Sequence, residues 1–535
     1  MKRVVILILC SFSFYGIFAQ SHRYFIAFTD KANSPFLKAQ PEAFLSQKSI
    51  QRRTIQNIAI ETADLPVDPA YILELRNQGA ETFYASRWLN GVLVQATPAL
   101  AATLEGLPFV KSVEYVASGA PLIYGGRFDR AMDKLDLSSS VDSIQKDLLG
   151  IEIMHNQSFL GQGIEIAVLD AGFIGVNSIG AFSHLYQNSK VTNVFNFSGN
   201  STNVYQYHDH GTVVLSTISA NIPGYYTGTA PDAEIQLYVT EDVFSEYRVE
   251  EYYWLFAAEM ADSAGVDIIT SSLGYFDFDD PSMNYTPADL NGNTAVISRA
   301  ADLAALRGMV VITSAGNQGN KAWGKITFPA DCHYCLSVGA ITKDGELSSF
   351  SSHGPTSDDR IKPDVVAMGT GVAAISDLNT LIYKSGTSLS APQVAGLAAG
   401  VWQAFPELTA LELTDFLKVS ADRAAVPDNY FGYGVPHFMA VKNYRASQSV
   451  ENEVAVYPNP AFGGRLFIKI KDPDEMRELK YVLYQSDGKK VKEGVIVFTW
   501  RDVEQELVVN DLLQGLYIIH LYNDRTNYRK RLLLR

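Results

Sequence analysis

The chain has 535 residues, 47% of them hydrophobic and 19% charged, with a formal net charge of −15 at pH 7. One hydrophobic core does not organise that length, so roughly two to four domains are expected, and the composition leaves no large share for disorder. The acidic balance argues against nucleic acid or an anionic membrane as the main partner.

Residues 1–19 read as an export signal. Lys2 and Arg3 precede an apolar run at 4–9, and Ala19 supplies a small residue before Gln20. A membrane anchor is the competing reading, but Ser11, Ser13 and Tyr15 interrupt a run that is short for a span. Cys10 lacks the small preceding residue that lipid attachment wants, and no later stretch is long and apolar enough to cross a membrane. With Cys10 removed, Cys332 and Cys335 remain, as a local disulfide or as two free thiols. A metal site there would need more ligands than His333 adds.

The segment 20–117 has a mixed pattern. Strands are predicted at 23–28, 88–96 and 110–116, and helices at 41–60, 69–79 and 98–105. Residues 118–143 lack periodicity and read as a linker. From 144 to 446 apolar strands (164–170, 235–240, 267–273, 309–314, 336–341) alternate with helices (212–220, 250–264, 294–307, 390–405, 410–420). That alternation predicts an α/β parallel sheet covered on both faces, with reactive groups outside the carboxyl ends of its strands. Residues 451–535 turn to short alternating segments at 454–457, 465–470, 480–484, 494–498 and 516–521, the pattern of a small all-β sandwich.

Four motifs carry chemistry. Asp170 ends an apolar strand, as a carboxylate or as a turn cap. His210 begins a helix in His-Asp-His-Gly-Thr, as a base, as a capped and satisfied histidine, or as a metal pair with His208. Asn317 ends a buried strand in Ala-Gly-Asn, as an amide donor or a plain turn residue. Ser388, in Gly-Thr-Ser-Leu-Ser-Ala-Pro, stands at or near a helix N-terminus, where an ordinary N-cap competes with a nucleophile. Acyl transfer needs such groups together: a serine, an imidazole to take its proton, an acid to hold that imidazole, and a donor for the oxyanion. The chain order Asp, His, Ser differs from the chymotrypsin and α/β-hydrolase orders.

In these motifs the stretch 144–446 resembles the subtilisin-like serine peptidases. The resemblance implies a three-layer parallel sheet with Asp170, His210 and Ser388 as catalytic triad and Asn317 as oxyanion donor. It also implies that Ser272, Leu273 and Gly274 pair with substrate backbone, and that Thr327 lies in the region lining the primary specificity pocket. The chemistry it implies needs no cofactor and no metal; structural calcium, common in such peptidases, has no ligands identifiable in the sequence. One departure stands out: Ala171 occupies a position where the family usually has Ser or Thr.

Residues 20–117 resemble the family's inhibitory propeptide. The C-terminal segment resembles the sorting domain of Bacteroidetes type IX secretion substrates, through Val456-Tyr457-Pro458-Asn459-Pro460, Leu513-Gln514-Gly515-Leu516-Tyr517 and the basic stretch 528–531. The implied protein is a precursor exported through the periplasm and then secreted or held at the cell surface. Its implied partners are peptide substrates, its own propeptide and the outer-membrane secretion machinery. An inactive subtilisin fold kept for binding or adhesion is the alternative. An esterase is contradicted by the residue order and by the lack of a Gly-x-Ser-x-Gly elbow.

Overall fold

The computed structural model describes residues 20–119, 141–459 and most of 461–535 (all but 460, 462–463, 472–475, 486–487, 500–502 and 525). The export signal and most of the linker fall outside these residues. The chain divides into two compact units after His437.

The first unit opens with an antiparallel sheet of β1 (His22–Phe28), β2 (Glu81–Ser86), β3 (Gly91–Ala96) and β4 (Val110–Ser118), in the order β2-β3-β1-β4. Helices α1 (Gln47–Ile55), α2 (Pro69–Asn77) and α3 (Pro98–Glu105) accompany it. Two predictions change here. The helix expected over 41–60 starts only at Gln47, because the Ser46 side chain caps it, and Asn57 then leaves the helical region at φ 56°. The strand expected at 88–96 starts at Gly91, because residues 87–90 form a tight turn with Asn90 at φ 51°, and the segment before that turn is the missed partner β2.

Helices α4 (Val141–Leu149) and α5 (Ile151–Asn156) lead into seven strands: β5 (Glu165–Asp170), β6 (Val191–Asn196), β9 (Glu234–Val239), β10 (Ile268–Ser271), β11 (Val310–Ser314), β12 (Leu336–Ile341) and β13 (Val365–Met368). Short pieces lie between them, including α6 (Ser183–Gln187) and a hairpin of β7 (Asn221–Ile222) and β8 (Tyr226–Thr227). All seven strands are parallel, in the order β13-β12-β11-β10-β5-β9-β6. Edge strand β6 alternates only weakly in polarity, and β13 spans four residues, so neither rose above the loop signal in the sequence.

Helices α7 (His210–Ser219) and α10 (Thr387–Ala404) pack against each other, α7 on β5 and α10 on β10 to β13. Ala167, Leu169, Ile269 and Val311, alternate residues of β5, β10 and β11, share a core with α8 (Val249–Ala264) and α9 (Val296–Ala305). Helix on both faces explains why β5, β10, β11, β12 and β13 are buried along their whole length. A hairpin of β14 (Val372–Ile375) and β15 (Leu381–Lys384) precedes α10, and α11 (Ala410–Val419) follows it.

The N-terminal sheet packs on this body through alternate residues. Phe25, Trp88 and Leu93 join the core of α8, with the Phe25 ring stacked on Tyr252 at 4.4 Å. Tyr24, Ile26, Phe28, Val92 and Val94 face the other way, into a separate small core with Leu75 and Leu104.

The second unit begins with α12 (Phe438–Glu453), an unbroken run without Gly or Pro that runs directly into β16 (Val454–Tyr457). The division therefore comes earlier than residue 446. Seven strands form two antiparallel sheets, β16-β17-β20 and β19-β18-β21-β22, around one apolar core. Their ranges are β17 (Arg465–Ile470), β18 (Glu478–Gln485), β19 (Lys490–Val497), β20 (Glu504–Val508), β21 (Gly515–Tyr522) and β22 (Asn527–Leu534). The basic stretch 528–531 is strand β22: Tyr528, Leu532 and Leu534 turn inward while Arg529 and Arg531 face solvent.

Among the described residues, no helix is long and apolar enough to cross a membrane.

Candidate active site

The segments singled out in the sequence follow the carboxyl ends of three adjacent strands: Asp170 closes β5, 272–274 leave β10, and 315–317 leave β11. Asp170 is fully buried. Its Oδ1 accepts from the Ala171 N–H at 2.8 Å and lies 2.7 Å from Nδ1 of His210, the first residue of α7. Burial opposes a charged imidazole, but the charge and hydrogen bond of Asp170 outweigh it and hold His210 above the ordinary histidine value. His208 supports the backbone of the same turn. The His208 Nδ1 accepts the His210 backbone N–H at 2.9 Å, and the two rings are 6.3 Å apart.

Ala171 has a visible consequence. The second carboxylate oxygen of Asp170, Oδ2, is buried and has no hydrogen-bond partner among the described residues, and a methyl side chain next to it offers no donor.

Ser388 is the second residue of α10, so the helix starts three residues before the predicted 390 and carries the serine in its first turn. Backbone N–H groups there have no partner within the helix, and the dipole favours negative charge. Pro392 lies inside α10. A proline costs a helix about 3 kcal/mol, partly through the missing N–H. The carbonyl left over is that of Ser388, and the Ser272 hydroxyl donates to it at 2.9 Å. The serine turn is thereby tied to the end of β10.

Asn317 is held by Thr387, the neighbour of Ser388 in sequence. The N–H and the hydroxyl of Thr387 both donate to Asn317 Oδ1, at 2.9 and 3.0 Å, which turns the amide nitrogen Nδ2 the other way. A methyl group on Gly386 would stand 2.9 Å from Ser388 Oγ and 3.7 Å from Asn317 Nδ2. The bare glycine keeps open the space between the Ser388 hydroxyl and the Asn317 amide.

After Ser271 the chain leaves the sheet; Ser272 and Leu273 are buried and Gly274 is exposed. Tyr275 then pairs with Phe328 through two 3.0 Å backbone hydrogen bonds. That bridge sets Thr327 beside Gly274. Methyl groups on Gly274 and Gly316 would fall 2.2 and 2.6 Å from Thr327 Oγ1, which is buried and has no hydrogen-bond partner among the described residues. Cys332 and Cys335 are joined as a disulfide.

The comparisons with known proteins agree with this architecture. The model of the Subtilase family matches residues 161–434, just over half of the chain. The chain belongs to the subtilase family. The peptidase S8 propeptide domain of Bacteroidota matches residues 23–124, and the secretion system C-terminal sorting domain matches 455–535. The sorting domain marks the chain for the cell surface or the extracellular space. Subtilisin E of Bacillus subtilis (strain 168) is 30% identical over 285 residues, covering 52% of this chain and 65% of that protein, so the chain spans just under two thirds of that relative. Subtilisin DY of Bacillus licheniformis is 30% identical over 292 residues, covering 54% and 94%. The crystal structure of the epidermin leader peptide processing serine protease EpiP from Staphylococcus aureus shares the fold, with a TM-score of 0.54 and 16% identity over 79% of this chain and 98% of that one.

Sequence reasoning missed Thr387 and Pro392 as parts of this subtilase site, although both lie in the quoted stretch. The signal was available for Pro392: a proline four residues after a helical serine must free that serine's carbonyl.

Proposed function

We propose that this subtilase is a serine endopeptidase made as an exported precursor, with Ser388 as nucleophile, His210 as general base, Asp170 as its orienting acid and Asn317 as oxyanion donor. The observation that carries the reading is the gap at Gly386, bounded by the Ser388 hydroxyl and the Asn317 amide. A substrate carbonyl in that gap is attacked by Ser388 Oγ while His210 Nε2 takes the proton. The tetrahedral oxygen then receives hydrogen bonds from Asn317 Nδ2 and the Ser388 N–H. Collapse returns the proton to the leaving amine, and water attacks the acyl-enzyme by the same relay. An extended peptide pairs with 272–274. A fluorophosphonate adduct on Ser388 of the trimmed protein, found by intact mass, tests the assignment. The unpartnered oxygen of Asp170 favours a second reading, a fold kept for binding, and a folded, trimmed protein that takes no adduct would establish it.

The pH profile follows from His210. The base is the neutral imidazole and Asp170 stabilises the charged one, so kcat/KM should rise with pH, with its acid-side midpoint above about 6.5. Rates measured from about pH 5 to 9 check the sign.

Specificity should follow Thr327. Its side chain fills the slot between Gly274 and Gly316, which suits small side chains next to the scissile bond. Thr327→Gly should shift the kcat/KM ratio of phenylalanyl over alanyl substrates upward on the order of 10- to 100-fold. An unchanged ratio would remove Thr327 from the pocket.

A further inference from the structure

In the sorting domain, the sheet β19-β18-β21-β22 sends Leu479, Leu483, Ile519, Leu521 and Leu532 into the core, so the residues between them point outward. The solvated face of an antiparallel sheet is normally polar. Here Val495 and Val497 of β19 and Leu516 of β21 stand on it, 52%, 54% and 48% exposed. Cations lie in register with this apolar surface. Lys480 is opposite Val495, Arg531 is opposite Ile518, and Arg529 is opposite His520. Lys480, Arg529 and Arg531 are exposed, and none forms an ion pair with a described residue. The acids of the face are Glu478, opposite Val497, and Glu493, which Lys490 already meets at 3.0 Å.

The other sheet, β16-β17-β20, balances its own outward charges. Arg465 stands 3.3 Å from Glu506, Lys469 is opposite Glu504, and Glu504 accepts from the Tyr457 hydroxyl. The two faces therefore differ in what they leave unmet. The charge of the domain also runs against that of the chain: residues 455–535 hold 14 Lys and Arg against 11 Asp and Glu, within a net charge of −15. Exposed apolar side chains mark an interaction surface, and arginine is enriched in protein interfaces. Unpaired cations around such a surface call for a partner of the opposite sign, because complementary charge steers approach and fixes orientation. A lipid surface is usually met by an amphipathic helix carrying Trp, Phe or Leu, whereas these are two valines and a leucine lying flat on strands. An acidic protein fits better. The match of residues 455–535 to a secretion system sorting domain says which protein has reason to read this face.

We propose that the outward face of β19-β18-β21-β22 docks an acidic protein of the secretion system, with Val495, Val497 and Leu516 as the apolar contact and Lys480, Arg529 and Arg531 as the charges that orient it. The test uses the full-length precursor carrying Ser388→Ala, made in a Bacteroidota host that has the secretion system and lacks the native chain. Its outcome is therefore separate from whether Ser388 is active. Immunoblots of fractionated cells measure the share of the chain beyond the outer membrane. Arg529→Gln with Arg531→Gln should cut that share on the order of tenfold and leave precursor in the periplasm. Leu516→Asp, which alters the apolar contact instead, should do the same. Arg465→Gln with Lys469→Gln, the same neutralisation on the other sheet, should stay within about twofold of the parent. Thermal melts of the purified proteins verify that the sandwich is folded, and Lys480→Gln stands in for either variant that fails to fold. Export at the parent's level from the Arg529→Gln, Arg531→Gln protein and from Leu516→Asp would overturn the proposal, as would an equal loss in the control pair. Flotation of the parent with phosphatidylglycerol vesicles but not with phosphatidylcholine vesicles, lost in the same variants, would assign the face to an anionic lipid surface and overturn it too.

Discussion

Ser388→Ala is expected to abolish nearly all turnover, with a fall in kcat of about 10⁶-fold, the size seen when the serine of subtilisin itself is removed. The size follows from how the parts depend on one another. Without the hydroxyl, His210 has no proton to take, and Asp170 orients a base that does nothing. Asn317 and the α10 N-terminus remain, because Thr387 holds the amide independently of the Ser388 side chain. A residual rate about 10³–10⁴ above that in water is therefore expected, since oxyanion donors and substrate binding act without the triad. Steady-state hydrolysis of a peptide anilide by the trimmed protein measures both numbers. Turnover within tenfold of the parent would end the assignment of Ser388.

The residues proposed as a triad stood out in the sequence because local rules coincide at them. Asp170 combines an apolar strand with a terminal acid, and Ser388 combines small neighbours with a helical run. What the sequence does not show is how side chains are oriented. Nothing in Ala-Gly-Asn says that Thr387, seventy residues later, aims the Asn317 amide. Ser272 was read as part of a substrate-pairing strand, whereas its hydroxyl also holds the Ser388 carbonyl. Such bonds join strand ends distant in sequence, and periodicity carries no trace of them.

Fold legibility followed burial. Strands β5, β10, β11 and β12, buried on both faces, read as apolar runs and were found near their true ends. Edge strand β6, half-buried, was missed. In the N-terminal segment Trp88 looked like strand because it is large and apolar. It is instead buried from a turn, with the Arg307 guanidinium 4.6 Å from its ring. There tertiary packing overrode local pattern.

The contact between the propeptide and α8 sets the second large expectation. Asp262, fully buried near the end of α8, receives three guanidiniums from the N-terminal domain: Arg52, Arg53 and Arg87. Arg53 grips it in a fork, with Nη1 and Nη2 each 2.9 Å from one carboxylate oxygen. Glu259, one turn earlier, accepts the backbone N–H groups of Arg87 and Trp88 at 2.9 and 3.2 Å. Removing one member of a buried ion group costs about 3–5 kcal/mol, because the partners stay buried with their charge uncompensated. Asp262→Ala strands three such partners: Arg53 keeps a second acid in direct contact, Asp64 at 3.3 Å, while Asp267 and Glu259 also attract Arg52 and Arg87. The Ser388→Ala precursor carrying Asp262→Ala should therefore lose about 3–5 kcal/mol in urea unfolding followed by tryptophan fluorescence, with Trp88 reporting from the contact itself. The three arginines hold the Asp262 carboxyl far below its usual range, even though burial pushes the other way. A folded-state pKa that low means the contribution is complete above the unfolded carboxylate value of about 3.9 and is lost only as pH falls towards the folded value. Mild acid should therefore leave this contact intact, and the alanine variant should lose the part of the acid dependence that lies below about pH 4. A variant that unfolds at the parent's urea midpoint would show that the arginines are satisfied without Asp262, and that the apolar contact of Phe25, Trp88 and Leu93 alone holds the propeptide on α8.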